Sequence, residues 1–246
     1  MTLCPKSSDG EIYLKERVGG KTMTMFDFHT HVFNEDTSLS RLLSIDVQDA
    51  DSCSLPSCAM LSAGLHPWRT DAYWQRWMPR LKELAMMNNV FALGECGLDK
   101  MRGADMDVQM AAMRAQMEIA EEADKPIVVH CVKAFGQLLT LRKEAEQRHS
   151  KCGKLQPWVI HGFRGKPELA KQLMAKGIRI SLGHQYNIET LHYLFSCNCP
   201  FYLETDDCPI SIEDVYLQAS HHLGVDVCHL VNRCNPFVDL FHPATL

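Results

Sequence analysis

Apolar and polar positions along this chain repeat one arrangement: a short apolar run followed at once by a histidine or a carboxylate. Five segments share it: Met25-Phe26-Asp27-Phe28-His29-Thr30-His31, Phe91-Ala92-Leu93-Gly94-Glu95, Ile127-Val128-Val129-His130, Trp158-Val159-Ile160-His161 and Phe201-Tyr202-Leu203-Glu204-Thr205-Asp206. The short β-prone runs predict strands at 24–28, 42–47, 59–65, 90–93, 126–129, 158–160, 178–182 and 199–203. Helical spacing falls between them. Trp74, Trp77, Leu81 and Leu84 mark a helix over 73–87, with Pro79 inside it as a possible kink. Met106, Met110, Met113, Met117 and Ala120 mark one over 105–123, its methionine stripe facing the sheet. Further helices are expected at 134–148, 167–176 and 212–223, and over 227–240 at the end. Pro167 stands in the first turn of its helix and Gly177 just past the end, as helix termini prefer.

Strand and helix alternate, which argues a parallel sheet covered by helices. The expected fold is α/β: a (β/α)8 TIM-like barrel, somewhat distorted. No helical pattern separates the first strand from the third, so the first βα unit is shortened. In such a barrel the strand C-termini meet at one mouth, where active sites lie. That geometry gathers the histidines and carboxylates.

Length suits this reading, because 246 residues is within the range of a single barrel domain. Residues 1–24 are polar and aperiodic and read as an appendage outside the barrel; residues 25–246 read as the domain. Met23 or Met25 is an alternative natural start. The formal charge of −5 advertises no general nucleic-acid surface, although two bound divalent cations would add positive charge locally. Eleven cysteines, odd in number and irregularly spaced, point to a reducing compartment and a cytoplasmic protein. Cys197-Asn198-Cys199 reads as buried inert thiols rather than a partial metal site. No apolar run is long enough to span a membrane, and no protein partner is evident.

His29 and His31, two apart on a strand, face the same side and can hold one ion. Glu95, flanked by Gly94 and Gly97, can approach closely and bridge two cations. His130 and His161 occupy equivalent ends of consecutive strands. Asp206 can hold a water and take its proton, with Asp207 as competitor. His66 stands outside this set, as a substrate contact or an orienting residue. Lys133, Arg164 and His184 follow barrel strands and could bind an anionic group.

Six blocks together resemble the TatD family of metal-dependent hydrolases, within the amidohydrolase-like barrel superfamily. They are Asp27–His31, Gly64–Pro67, Gly94–Asp99, Pro126–His130, His161–Phe163 and Glu204–Asp206, in the family's order. The resemblance implies that His29, His31, Glu95 and Asp206 hold one ion and Glu95, His130 and His161 a second. The cation could be Zn²⁺, Mn²⁺ or Mg²⁺. It also implies hydrolysis of DNA phosphodiester bonds by metal-activated water, often as an exonuclease, with Asp206 and Glu95 as the catalytic pair. The alternative is a metal-dependent amide, ester or lactone hydrolase acting on a small molecule. Two departures bear on substrate. The stretch from His31 to His66 is shorter than in typical members, and Lys100-Met101-Arg102 stands where aromatic residues are usual.

Overall fold

The computed structural model describes residues 17–18, 21–22, 24–32, 40–51, 59–149, 155–237 and 239–241. Eight strands form one parallel sheet: β1 (Phe26–Thr30), β2 (Ser40–Asp46), β3 (Met60–Gly64), β4 (Val90–Asp99), β5 (Ile127–Val132), β6 (Trp158–Ile160), β7 (Ile178–Leu182) and β8 (Phe201–Leu203). Each strand pairs with its sequence neighbours. Among the described residues the ring closes at the mouth, through a parallel bridge between Thr30 and Asp206. There His31 N donates to Asp206 O at 3.1 Å, and Asp206 N donates to His29 O at 2.8 Å. Side chains reinforce the seam. Thr205 donates from its backbone and its hydroxyl to the two carboxylate oxygens of the buried Asp27, at 3.0 and 2.6 Å. Burial pushes the Asp27 carboxyl up to about 7, against the pull of those hydrogen bonds.

Helices α1 (Met78–Ala85), α2 (Met106–Glu122), α3 (Phe135–His149), α4 (Pro167–Met174), α5 (Ile188–Ser196), α6 (Ile212–Leu223) and α7 (Val227–Arg233) follow β3 onward. No helix lies between β1 and β3 among the described residues. β2 begins ten positions after β1 ends, so the first crossover is short. The methionine stripe of α2 packs inward as expected, with Met113, Met117 and Ala120 buried.

Several elements differ from their expected bounds. The helix expected at 73–87 divides into a 3₁₀ turn, Trp74–Trp77, and α1, with Pro79 in the first turn of α1, where it needs no N–H donor. α7 ends at Arg233, well short of 240. α5 was not expected, although Asn187 caps it by accepting from Thr190 N. Cys197 is exposed, contrary to the buried-thiol reading, because it caps the C-terminal end of α5. Most of the expected 1–24 appendage lies outside the described residues; within it, Arg17–Val18 pairs antiparallel with Lys21–Thr22. No helix of the described residues is long and apolar enough to cross a membrane.

Alternation divides the core in two. Phe28, Val128, Val159 and Tyr202 fill the barrel interior, with Phe237, Leu240 and Phe241 against its lower end. Phe28 stacks on Tyr202 at 4.4 Å. Their neighbours Val129, Ile160 and Leu203 face outward and pack under the helices. Two steps beyond Val128, Val159 and Tyr202 stand His130, His161 and Glu204, so strand period alone turns these groups into the mouth.

Two strands need a phase slip to contribute. The register of β1 shifts between Asp27 and Thr30, and that of β4 between Leu93 and Cys96. Such bulges re-aim side chains. In β4 the slip places Glu95, Gly97 and Asp99 on one face. Gly97 lies at φ 149° against β5, where a Cβ would come within 2.0 Å of His130 O. Gly97→Ala is therefore expected to cost about 3 kcal/mol through strain and overpacking. That lowers Tm by roughly 6–12 °C for a chain of this size, as measured by thermal denaturation.

Candidate metal centre

Glu95 is the hub of the mouth. It is 5% exposed and offers one oxygen to each of two groups of imidazoles. His29 Nε2 and His31 Nε2 each lie 3.2 Å from Oε2. His66 Nε2, His130 Nδ1 and His161 Nε2 lie 2.9, 2.7 and 2.8 Å from Oε1. Asp206 stands on the Oε2 side, its Oδ1 3.8 Å from His29 Nε2 and 3.6 Å from His31 Nε2. Three triplets bring potential ligand atoms within 4.8 Å of one another: His29, Glu95 and His161; His29, His31 and Asp206; and His66, Glu95 and His130.

The electrostatics match that geometry. Burial opposes ionisation of Glu95, but the charge of His161 and the hydrogen bonds from His130 and His161 outweigh it. The carboxyl is held well below its usual value. Burial likewise disfavours a charged His161, yet Glu95 and Glu204 raise it well above the ordinary imidazole value. His29 goes the other way. Full burial and the His161 charge lower it, and neither of its ring nitrogens makes an aligned hydrogen bond. A buried imidazole with no partner costs free energy unless something else satisfies it. Five imidazoles and two carboxylates converging around such a group fit a divalent cation of the Zn²⁺ or Mn²⁺ kind in donor type and number.

Outside the hub stands a second row of carboxylates. His161 Nδ1 lies 3.4 Å from Glu204 Oε1, and Glu204 is wholly buried. His130 Nε2 lies 3.4 Å from Asp99 Oδ2. A carboxylate behind an imidazole fixes its ring and tautomer. Neither Glu204 nor Asp99 was assigned a role from sequence. For Asp99 the signal was its four-residue spacing from Glu95, which becomes a shared face only if β4 runs unbroken past the glycines.

Every expected ligand, His29, His31, Glu95, His130, His161 and Asp206, is in this cluster. His66 is there too, its Nε2 against Glu95 Oε1, as an orienting residue would stand. Asp46 Oδ2 accepts from His66 N at 3.0 Å, and His66 Nδ1 accepts from Trp68 N at 3.1 Å, which leaves Nε2 facing Glu95. Lys133 and Arg164 are exposed on loops after β5 and β6, and neither makes an ion pair among the described residues. His184 turns toward Cys208 Sγ, 3.8 Å from its Nε2. Asp207 is exposed, one position beyond Asp206.

A parallel barrel with histidines and carboxylates converging at its C-terminal mouth has a candidate metal site where barrel enzymes carry their active sites. Comparison with known proteins narrows it. The model of the TatD-related DNase family matches residues 26–194, and the chain belongs to that family. A 3′-5′ ssDNA/RNA exonuclease TatD from Rahnella sp. strain Y9602 is 30% identical over 135 residues, 52% of this chain and 46% of that protein. The chain thus matches less than half the length of that relative. Among solved structures, a TatD-family hydrolase from Entamoeba histolytica superposes with a TM-score of 0.62 at 17% identity, over 86% of this chain and 95% of that one. A TatD homologue from Escherichia coli K12 gives 0.62 at 18% identity, over 85% and 94%. At such identity these two likenesses speak for the fold alone.

Proposed function

We propose that this chain is a metal-dependent phosphodiesterase that shortens single-stranded nucleic acid, DNA foremost, from an end. One observation carries the reading: Glu95 divides its two oxygens between two sets of imidazoles, an arrangement suited to two divalent cations sharing one carboxylate. The name of the Rahnella relative supports the substrate class.

His29, His31, Glu95 and Asp206 would hold one ion; Glu95, His130 and His161 the other, with His66 available beside them. The cations supply Lewis acidity and lower the pKa of water. The chain supplies the rest. Asp206, part-exposed at the mouth, orients the attacking water and accepts its proton as the water oxygen bonds to phosphorus. The phosphorus–oxygen bond to the neighbouring sugar breaks, and that oxygen leaves and is protonated from solvent. Glu204 and Asp99 keep His161 and His130 in register. The free thiols Cys96, Cys131 and Cys234 suit a reducing cytoplasm; Cys96 and Cys234 are buried and Cys131 is half-buried.

The test is hydrolysis of end-labelled single-stranded DNA by purified protein, with Mg²⁺, Mn²⁺ or Zn²⁺ supplied separately and a chelator control. Progressive shortening that needs a cation, and whose KM rises steeply with salt, is expected. Cation-loaded protein that leaves the DNA intact would point instead to a small ester, amide or lactone substrate.

A further inference from the structure

Beside the cluster stands an aromatic–cationic pair that the hydrolytic machinery does not use. Trp68 lies in the 3₁₀ turn Pro67–Arg69 that follows β3. It is 43% exposed, a large apolar surface to leave in water. Its ring centroid is 4.8 Å from that of His66 and 5.5 Å from that of His130, which puts it at the rim of the centre. Arg102 lies over the indole, its Cζ 3.9 Å from the ring centroid. Arg102 is exposed and makes no ion pair among the described residues.

The indole and the loop that carries Arg102 are both anchored. The indole Nε1 donates to Asp99 Oδ2 at 2.6 Å, so one edge is pinned to a carboxylate that also touches His130. The loop carrying Arg102 is stapled from below by Gln109 on α2, which is 1% exposed. Its amide donates to the carbonyls of Asp99, Arg102 and Ala104, and its oxygen accepts from Asp99 N. Gly103, at φ 96°, lets this loop meet the Trp68 turn so closely that a Cβ would lie 2.4 Å from Pro67 O. A buried staple and interlocked loops fix the backbone beneath the pair, which lowers the ordering cost of binding.

A flat ring and a guanidinium plane at the edge of a phosphoryl-transfer site suit one ligand chemistry. Unpaired bases stack on aromatic rings and arginine planes, and the cation attracts the adjoining phosphate. We propose that Trp68 and Arg102 form the stacking subsite for the base of the terminal nucleotide, and so select unpaired ends over duplex. This rests on the nuclease reading and names a specificity element of the same site. A base held in a duplex stack cannot reach it without unpairing.

The experiment compares two labelled single-stranded oligonucleotides that differ only at the end being cleaved, one carrying a base there and one an abasic residue. Wild type, Arg102→Ala and Trp68→Ala are measured on both, as the full chain with the activating cation. Stacking of one base implies that each variant raises KM on the base-bearing oligonucleotide by roughly ten- to a hundredfold. Wild type shows a similar rise on the abasic one, and the penalty of each substitution largely disappears there. Arg102 is a surface side chain, so its variant keeps the argument testable if Trp68→Ala disturbs Asp99. Equal losses on both oligonucleotides would reduce the pair to a structural support, and unchanged KM on the base-bearing one would remove the subsite. Cleavage of neither by wild type would overturn the nuclease reading and this subsite with it.

Discussion

Glu95→Gln is expected to abolish stable divalent-cation binding and hydrolysis while the barrel still folds. The two side chains are nearly isosteric, and the glycines that let β4 approach its neighbours are untouched. What changes is charge and acceptor number. Glu95 is the one carboxylate shared by five imidazoles, with both oxygens engaged at 2.7–3.2 Å. A glutamine puts an N–H donor on one side of that division, so one set of donors loses its shared ligand. Losing even an outer-row partner typically lowers metal affinity or activity by about 10–100-fold, so loss of the central ligand should exceed about 100-fold in both. Metal content after dialysis, turnover and far-ultraviolet circular dichroism separate the effects. A folded variant that retains wild-type metal content would defeat the assignment of Glu95 as the shared ligand.

The sequence pattern picked out the side chains that cluster at the mouth because strand period is rigid. Val128 and His130, or Val159 and His161, share a face wherever an unbroken strand is correctly placed. β1 and β4 were less legible. Their alternation slips, and a slip leaves no mark in composition beyond the glycines around Glu95. Ending β4 at Leu93 hid Asp99, which lies on the same continuous strand. The direction of His66 is set by two local hydrogen bonds, one donated by its backbone to Asp46 and one accepted from Trp68, that spacing cannot convey. α5 was within reach, with Asn187 as cap and Ile188, Leu191 and Leu194 at helical spacing.

Asp206→Asn is the substitution that separates chemistry from architecture. Asp206 does two things at once. Its backbone closes the barrel, pairing with His29 and His31. Its carboxylate faces their imidazoles at the open side of the centre. The closure demands φ 58°, a left-handed conformation that most residues resist and asparagine accepts readily. Asparagine therefore keeps the seam and the side-chain shape while losing the basic oxygen. Hydrolysis is expected to fall by about 10²–10⁴-fold, the usual worth of a positioned general base, with Tm close to that of wild type. Asp207→Asn, one residue on and exposed, keeps the wild-type rate. Steady-state kinetics on labelled single-stranded DNA with metal content measured in parallel decides it. If Asp206→Asn turned over as wild type does, the proton would have to leave by another route. A rate loss matched by loss of metal would make Asp206 a ligand first. A rate loss with metal retained identifies Asp206 as the group that takes the proton.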